Sequence, residues 1–423
     1  MPASIPSLSS AAIRVISITL QIAVSVLIFL ALLLARANNL DEAVMGNDIA
    51  VVKEFLTAGG DVNSRDAHGQ TLLHFATMYD RREIIRLLLS HKADVNARAD
   101  NGSTALDLAA VSSNVPVANL LIDAGADVRA AYPSGRTVLH IAANAGSVAI
   151  VRRLIQHGAD PHVRAKNGAA PIEEALYQGH REIVALLIES GARINDSRPQ
   201  TGATVLNEAA TRGNALIVEV LLRHNADLET KDNAGFSPLE NAVRLHRTDI
   251  ARLLLERNAA TGSSFSRLLE LAVRKGQPDM VALVLSRNVD VNGRFQSGST
   301  PLHDAALKGY DEIVKLLLAK GANINGRDGL GSTALHVAAL NDKLSTVALL
   351  LANGANVNAQ ETDSGNTPLY IAASFGREDV VGLLLEKGAD RNIVNREGWS
   401  PLHAALVNGY KDIAGRIRAR GER

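Results

Sequence analysis

Apolar positions along this chain recur in pairs of short helical stripes. Gly298–Asn325, GSTPLHDAALKGYDEIVKLLLAKGANIN, shows the pattern most completely. Leu302, Ala305 and Ala306 stand at i, i+3 and i+4 and predict one short helix. Thr300 suits the N-cap and Pro301 the first helical position, where a missing N–H costs nothing. Gly309 ends that helix. Asp311 and Glu312 open a second one, where negative charge suits the dipole. Ile313, Val314, Leu316 and Leu317 form its apolar face, and Gly321 marks its C-terminal cap. Two helices this short cannot bury both faces alone, so the unit requires copies of itself on each side.

The copies are present. The position of Leu302 recurs at Leu40, Leu73, Leu106, Leu139, Ile172, Leu206, Leu239, Leu269, Leu335, Leu369 and Leu402. Nearly every step is 33 residues; those ending at Leu206 and Leu369 are 34, and the one ending at Leu269 is 30. The segments Thr71–Ala76, Thr137–Ala142, Thr300–Ala305, Thr333–Ala338 and Ser400–Ala405 resemble the T-P-L-H-x-A signature of ankyrin repeats. The tails Gly59–Asn63, Gly158–His162, Gly321–Asn325, Gly354–Asn358 and Gly388–Asn392 share the same likeness. The resemblance covers about Asn38 to Arg420 in twelve in-phase units. It implies an all-α solenoid of helix-turn-helix repeats joined by short hairpin loops, preceded here by one hydrophobic N-terminal helix.

That N-terminal segment occupies residues 1–37, and the solenoid residues 38–423. Val15–Ala35 carries no charge and is bracketed by Arg14 and Arg36. As a helix it would be about 31 Å long at roughly 1.5 Å per residue, close to the hydrocarbon thickness of a bilayer. A membrane anchor fits that length. A cleaved signal peptide fits Ala35-Arg36-Ala37, an A-x-A-like site, although the usual apolar region is shorter. A buried soluble helix is the third reading, but nothing at the end of a solenoid would cover all its faces.

Individual repeats depart from the pattern. The first begins directly as Leu40-Asp41-Glu42-Ala43, in the manner of a cap. The third has Ser113 where an inter-helix glycine is usual. The fifth has Glu173 and Glu174, and the sixth Asn207 and Glu208, where the family carries His and a variable residue. The eighth is the main irregularity. It has lost three residues and its hairpin, so residues 258–269 are expected to be the weakest junction in the stack. The last replaces a leucine run with Arg416, Arg418 and Arg420, which suits a C-terminal cap.

Composition narrows the chemistry. With 44 basic and 44 acidic residues the formal net charge is zero, which argues against bulk binding to nucleic acid. There is no cysteine, so thiol catalysis, disulfides and cysteine–zinc sites are excluded. Aromatic residues make up only 3%, in keeping with a core of short helices packed through Ala and Leu. His74, His140, His303, His336 and His403 share one repeat position. Copies about 8–10 Å apart do not converge on one ion, so the expected role is structural, a hydrogen bond near the helix start and the adjoining loop. Gly329-Leu330-Gly331-Ser332-Thr333-Ala334 matches G-x-G-x-x-A but follows no apolar strand, and reads as a hairpin turn. No P-loop, G-x-S-x-G or H-E-x-x-H occurs. No cofactor, metal, small-molecule substrate or enzymatic activity is expected.

The resemblance further implies that the hairpin tips and the ends of the first helices line a concave binding face. The two residues before each inter-helix turn are least constrained by packing. Repeats six to nine place Arg212, Arg244, Arg274, Lys275 and Lys308 there in consecutive register. This predicts a basic stripe, unless Glu208, Glu240 and Glu270 neutralise it locally. Tyr177, Leu245 and Leu307 could anchor a ligand beside it, and Met78 and Tyr79 occupy the same positions in an early repeat. The expected function is non-catalytic protein binding by a single-pass, membrane-tethered scaffold, adaptor or inhibitor whose partner presents an extended acidic segment. The alternative is an exported, periplasmic or secreted, effector or immunity-type inhibitor.

Overall fold

The structure, a computed structural model, describes residues 40–257 and 264–419. The candidate membrane segment Val15–Ala35 lies outside them, as do residues 258–263 of the irregular junction and Arg420. Among the described residues no helix is long and apolar enough to cross a membrane. Among those residues the regular elements are all helices, with no strand and only isolated bridges such as Arg65 with Thr71 and Arg327 with Thr333 at the bases of hairpin loops.

The predicted unit forms as the sequence dictates. Pro301–Lys308 is capped by extended Thr300 and ends on left-handed Gly309; Asp311–Ala319 follows directly. Leu302, Ala305, Ala306, Ile313, Val314 and Leu317 are fully buried, whereas Leu316 is only partly covered. The same inner and outer helices recur in every repeat, from residues 40–45 and Ile49–Thr57 to Pro401–Val407 and Lys411–Ala419.

The chain divides into two compact units, one ending at Ile194 and the other starting at Asn195. Within each, inner helix packs on inner helix and outer on outer. Small Ala pairs on the inner helices allow close approach, and the outer helices supply Ile, Val and Leu. Loop-to-loop hydrogen bonds add a second seam. Asp94 N–H donates to Asn63 Oδ1 (2.7 Å), Asp127 to Asn96 (2.7 Å), Asp227 to Asn195 (2.8 Å), Asn323 to Asn292 (2.7 Å) and Asp390 to Asn358 (2.8 Å).

The turn between the two helices requires a left-handed residue in each repeat. Glycine fills seven of the twelve copies; Asn47, Asp80 and Asp342 also stand there, as do Ser113 in the third at φ 55° and His246 in the seventh at φ 57°. The missing glycine at Ser113 therefore leaves the turn geometry unchanged and places a strained side chain in it.

Repeat eight differs from its neighbours. Its inner helix, Ser264–Arg274, is longer than the others, and Leu268, Leu269, Ala272 and Val273 keep the core continuous within the second unit. Side-chain clasps join it to repeat seven. Arg267 Nε pairs with Glu240 Oε1 at 2.9 Å. The Asp279 carboxylate accepts from His246 Nε2 at 2.7 Å and from Thr248 Oγ1 at 2.8 Å.

Candidate functional site

The recurrent histidines join each repeat to the next. In His74, His140 and His336, Nδ1 accepts from the backbone N–H of the N-cap threonine at 3.1, 3.0 and 3.1 Å. Nε2 donates to a carbonyl of the following repeat: Ser103, Ala169 and Asn366. In His303, Nδ1 meets the Thr300 hydroxyl at 2.7 Å instead, and Nε2 faces the Ser332 carbonyl at 3.0 Å. Because Nδ1 faces an N–H in the first three, the proton belongs on Nε2 and the ring is neutral. Burial pushes the pKa of all four down, that of His140 to about 4. His403, in the last repeat, is exposed and packs near Trp399.

Where repeats depart from His, Asn207 keeps both bonds, whereas the carboxylates of Asp107, Glu173 and Glu240 accept at their own helix start and have no donor for the next repeat. Asp107 Oδ2 accepts from Thr104 N–H at 2.8 Å, and Glu240 Oε2 accepts from Ser237 N–H at 2.8 Å. Asn207 accepts from the Thr204 hydroxyl and donates through Nδ2 to Phe236 carbonyl at 3.1 Å. Glu173 accepts from Ala170 N–H and pairs with Arg164 at 3.3 Å. These residues are consumed by the architecture.

What remains for binding is the surface formed by inner-helix ends and hairpin tips. In the first unit the two do line a common recess. A cavity of about 400 Å³ lies between hairpin residues Tyr132, Ser134 and Arg136 and inner-helix residues Val111, Ile141 and Asn144. Met78, Tyr79 and Val111 are exposed, whereas Tyr177 is half-buried.

In the second unit the five expected cations fall into two groups. Arg212 lies 3.7 Å from Glu208. Arg274 is held by Glu270 at 2.8 Å and by Asp304 of the next repeat at 3.0 Å, and Asp304 raises its pKa. Arg244, Lys275 and Lys308 have no carboxylate partner among the described residues. Arg244 lies over the Phe236 ring at 4.9 Å, and its Nη2 donates to Asn241 at 2.9 Å. Arg267 covers the same ring at 5.3 Å while pairing with Glu240. Glu240 thus neutralises Arg267 and leaves Arg244 positioned but unpaired. Leu307 is exposed and Leu245 half-buried beside these cations.

Phe236 and Arg267 were not singled out by the repeat register. Phe236 is on a hairpin, and Arg267 precedes the aligned Leu269 in the one repeat whose spacing is shortened. The only sequence signal was an aromatic residue in a hairpin of an aromatic-poor chain.

The family model described as ankyrin repeats (3 copies) matches residues 40–132, 127–198, 195–264, 269–361 and 335–420. The chain belongs to the ankyrin-repeat family. Its ankyrin repeats form an all-α solenoid fold and make it a protein–protein interaction scaffold. Among curated proteins it is similar to the ankyrin repeat and KH domain-containing protein mask of Drosophila melanogaster, 33% identical over 104 residues, covering 23% of this chain and 3% of that protein. Neurogenic locus notch homolog protein 1 of Xenopus laevis is 31% identical over 121 residues, 27% of this chain and 5% of that protein. The potassium channel AKT1 of Oryza sativa subsp. indica is 37% identical over 70 residues, 16% of this chain and 7% of the channel. The chain therefore spans only a small fraction of the length of these relatives.

Proposed function

We propose that this ankyrin-repeat chain is a non-catalytic, membrane-tethered adaptor or inhibitor that binds an extended acidic segment of a partner protein on repeats seven to nine. The observation that carries the reading is the set of cations without carboxylates, Arg244, Lys275 and Lys308, on consecutive inner-helix ends. At roughly 10 Å per repeat they extend over about 20 Å, which suits an extended chain better than a compact ligand. The Phe236 ring and Asn241 hold Arg244 in place, which limits the side-chain entropy lost on binding. Tethering rests on the length and charge-free composition of Val15–Ala35.

The test is site-specific photo-crosslinking in native membranes. A photo-reactive residue at Lys308 should capture a protein partner. The same residue at Lys315, an exposed outer-helix position paired with Glu312 at 2.9 Å, should not. Equal capture from both positions would overturn the proposed face. The exported effector or inhibitor is the second reading, favoured by Ala35-Arg36-Ala37, and a mature N-terminus near Asn38 would establish it.

A further inference from the structure

In the second unit the pair of residues at the end of each inner helix shifts from basic to apolar along the stack. The first of the pair is Arg244 in repeat seven, Arg274 in eight, Leu307 in nine, Leu340 in ten, Ser374 in eleven and Val407 in twelve. The next residue along the chain is Leu245 in seven, Lys275 in eight, Lys308 in nine, Asn341 in ten, Phe375 in eleven and Asn408 in twelve. The helices carrying them, from Pro238–Arg244 to Pro401–Val407, pack in succession. Equivalent residues on stacked, like-oriented helices share a face.

The apolar members are exposed, Leu307 by 37%, Leu340 by 36%, Phe375 by 53% and Val407 by 64%. They do not build the core, because Ala305, Ala306, Ala338, Ala339, Ala372, Ala373, Ala404 and Ala405 already fill the inner-helix contacts. Single exposed apolar residues need no explanation, but a run in four consecutive repeats marks an interaction surface. Lys308 adjoins Leu307, so the cationic and apolar runs meet within repeat nine.

Resting on the acid-binding reading above, we propose that repeats nine to twelve hold the apolar half of the same partner segment. The partner is then a polypeptide in which an acidic block adjoins a block of aromatic or branched aliphatic residues. Charge complementarity fixes the acidic end at Arg244, Lys275 and Lys308, and the apolar end falls on Leu340, Phe375 and Val407. From repeat seven to repeat twelve the face runs roughly 50 Å at about 10 Å per repeat. An extended chain needs about fifteen residues to cover it.

The experiment is selection of a random sixteen-residue peptide display library on the full chain. Enriched peptides should carry a run of Asp and Glu next to a run of Leu, Ile, Phe or Trp. Against Leu340→Asp/Phe375→Asp protein, enrichment of the apolar run should fall about tenfold while the acidic run persists. Against Arg244→Glu/Lys275→Glu protein the losses should be reversed. Thermal melting is compared for each variant, and Leu340→Ser/Phe375→Ser replaces the aspartate pair if that pair unfolds. Acidic enrichment without an apolar run, or an apolar run indifferent to Leu340 and Phe375, overturns this inference and leaves the acid-binding reading standing. Absence of acidic enrichment overturns both.

Discussion

His140 Nε2 donates to the carbonyl oxygen of Ala169, one repeat ahead, at 3.1 Å, while its Nδ1 accepts from Thr137 N–H at 3.0 Å. One ring therefore satisfies a donor at its own helix start and an acceptor in the neighbouring loop. Both backbone groups are deprived by His140→Ala. The expected loss is about 2–4 kcal/mol, since each buried unsatisfied group costs about 1–3 kcal/mol and water recovers part of it. His403→Ala, at an exposed position, should stay within about 0.5 kcal/mol. Urea unfolding of both variants checks the contrast; equal effects would show that the inter-repeat bond contributes little.

The same rings make stability depend on pH. Burial lowers the folded-state pKa of His74, His140, His303 and His336. A depressed folded pKa means that the unfolded chain binds more protons between the two values, so stability rises with pH there. The contribution is fully present above the unfolded value of 6.5 and is lost as pH falls towards the His140 value of about 4. From that shift His140 contributes on the order of 3 kcal/mol. Urea midpoints should be level from pH 7 to 8 and fall between pH 6.5 and 4. His140→Gln should flatten part of that slope, and an unchanged slope would refute the assignment.

Much of this was legible in the sequence, because the repeat itself encodes local structure. Thr300, Pro301, Gly309 and the Leu302 stripe each act within one helix or turn, and the structure reproduces them. Substituted positions were harder to interpret. Glu173, Asn207 and Glu240 depart from the His pattern in letters; all three still accept at their helix start, but only Asn207 also donates to the next repeat, which only the partner atoms reveal. Arg274 could be matched to Glu270 by helical spacing, but its second partner, Asp304, comes from the neighbouring repeat. The stack of Arg244 and Arg267 on Phe236 joins a hairpin to two helices across the shortened repeat, a juxtaposition that the repeat register does not encode.

Repeat eight should open before its neighbours. Clasps at Arg267–Glu240 and Asp279–His246 tie it to repeat seven, and exposed or partly exposed pairs are individually worth only about 0–1 kcal/mol. Amide exchange should be faster over Asn258–Leu269 than over Leu316–Leu318, and Asp279→Ala should accelerate it further in Pro278–Leu285. Protection equal to that of Leu316–Leu318 would contradict this.

Membrane attachment is tested separately, on the full-length chain. Protein anchored through Val15–Ala35 should stay in the pellet after carbonate washing. Recovery as soluble protein beginning near Asn38 would replace the anchor with a cleaved signal peptide.

The salt dependence of association tests the acid-binding face most directly. The partner captured through Lys308 is measured against wild type and Arg244→Glu/Lys275→Glu at two ionic strengths. This pair avoids Arg274, whose reversal would also break its contacts with Glu270 and Asp304. The expected result is an on-rate reduced on the order of tenfold at low salt, a weaker salt dependence and an unchanged melting temperature. An on-rate and salt dependence equal to wild type would contradict the account and leave Arg244, Lys275 and Lys308 as solvated surface charges.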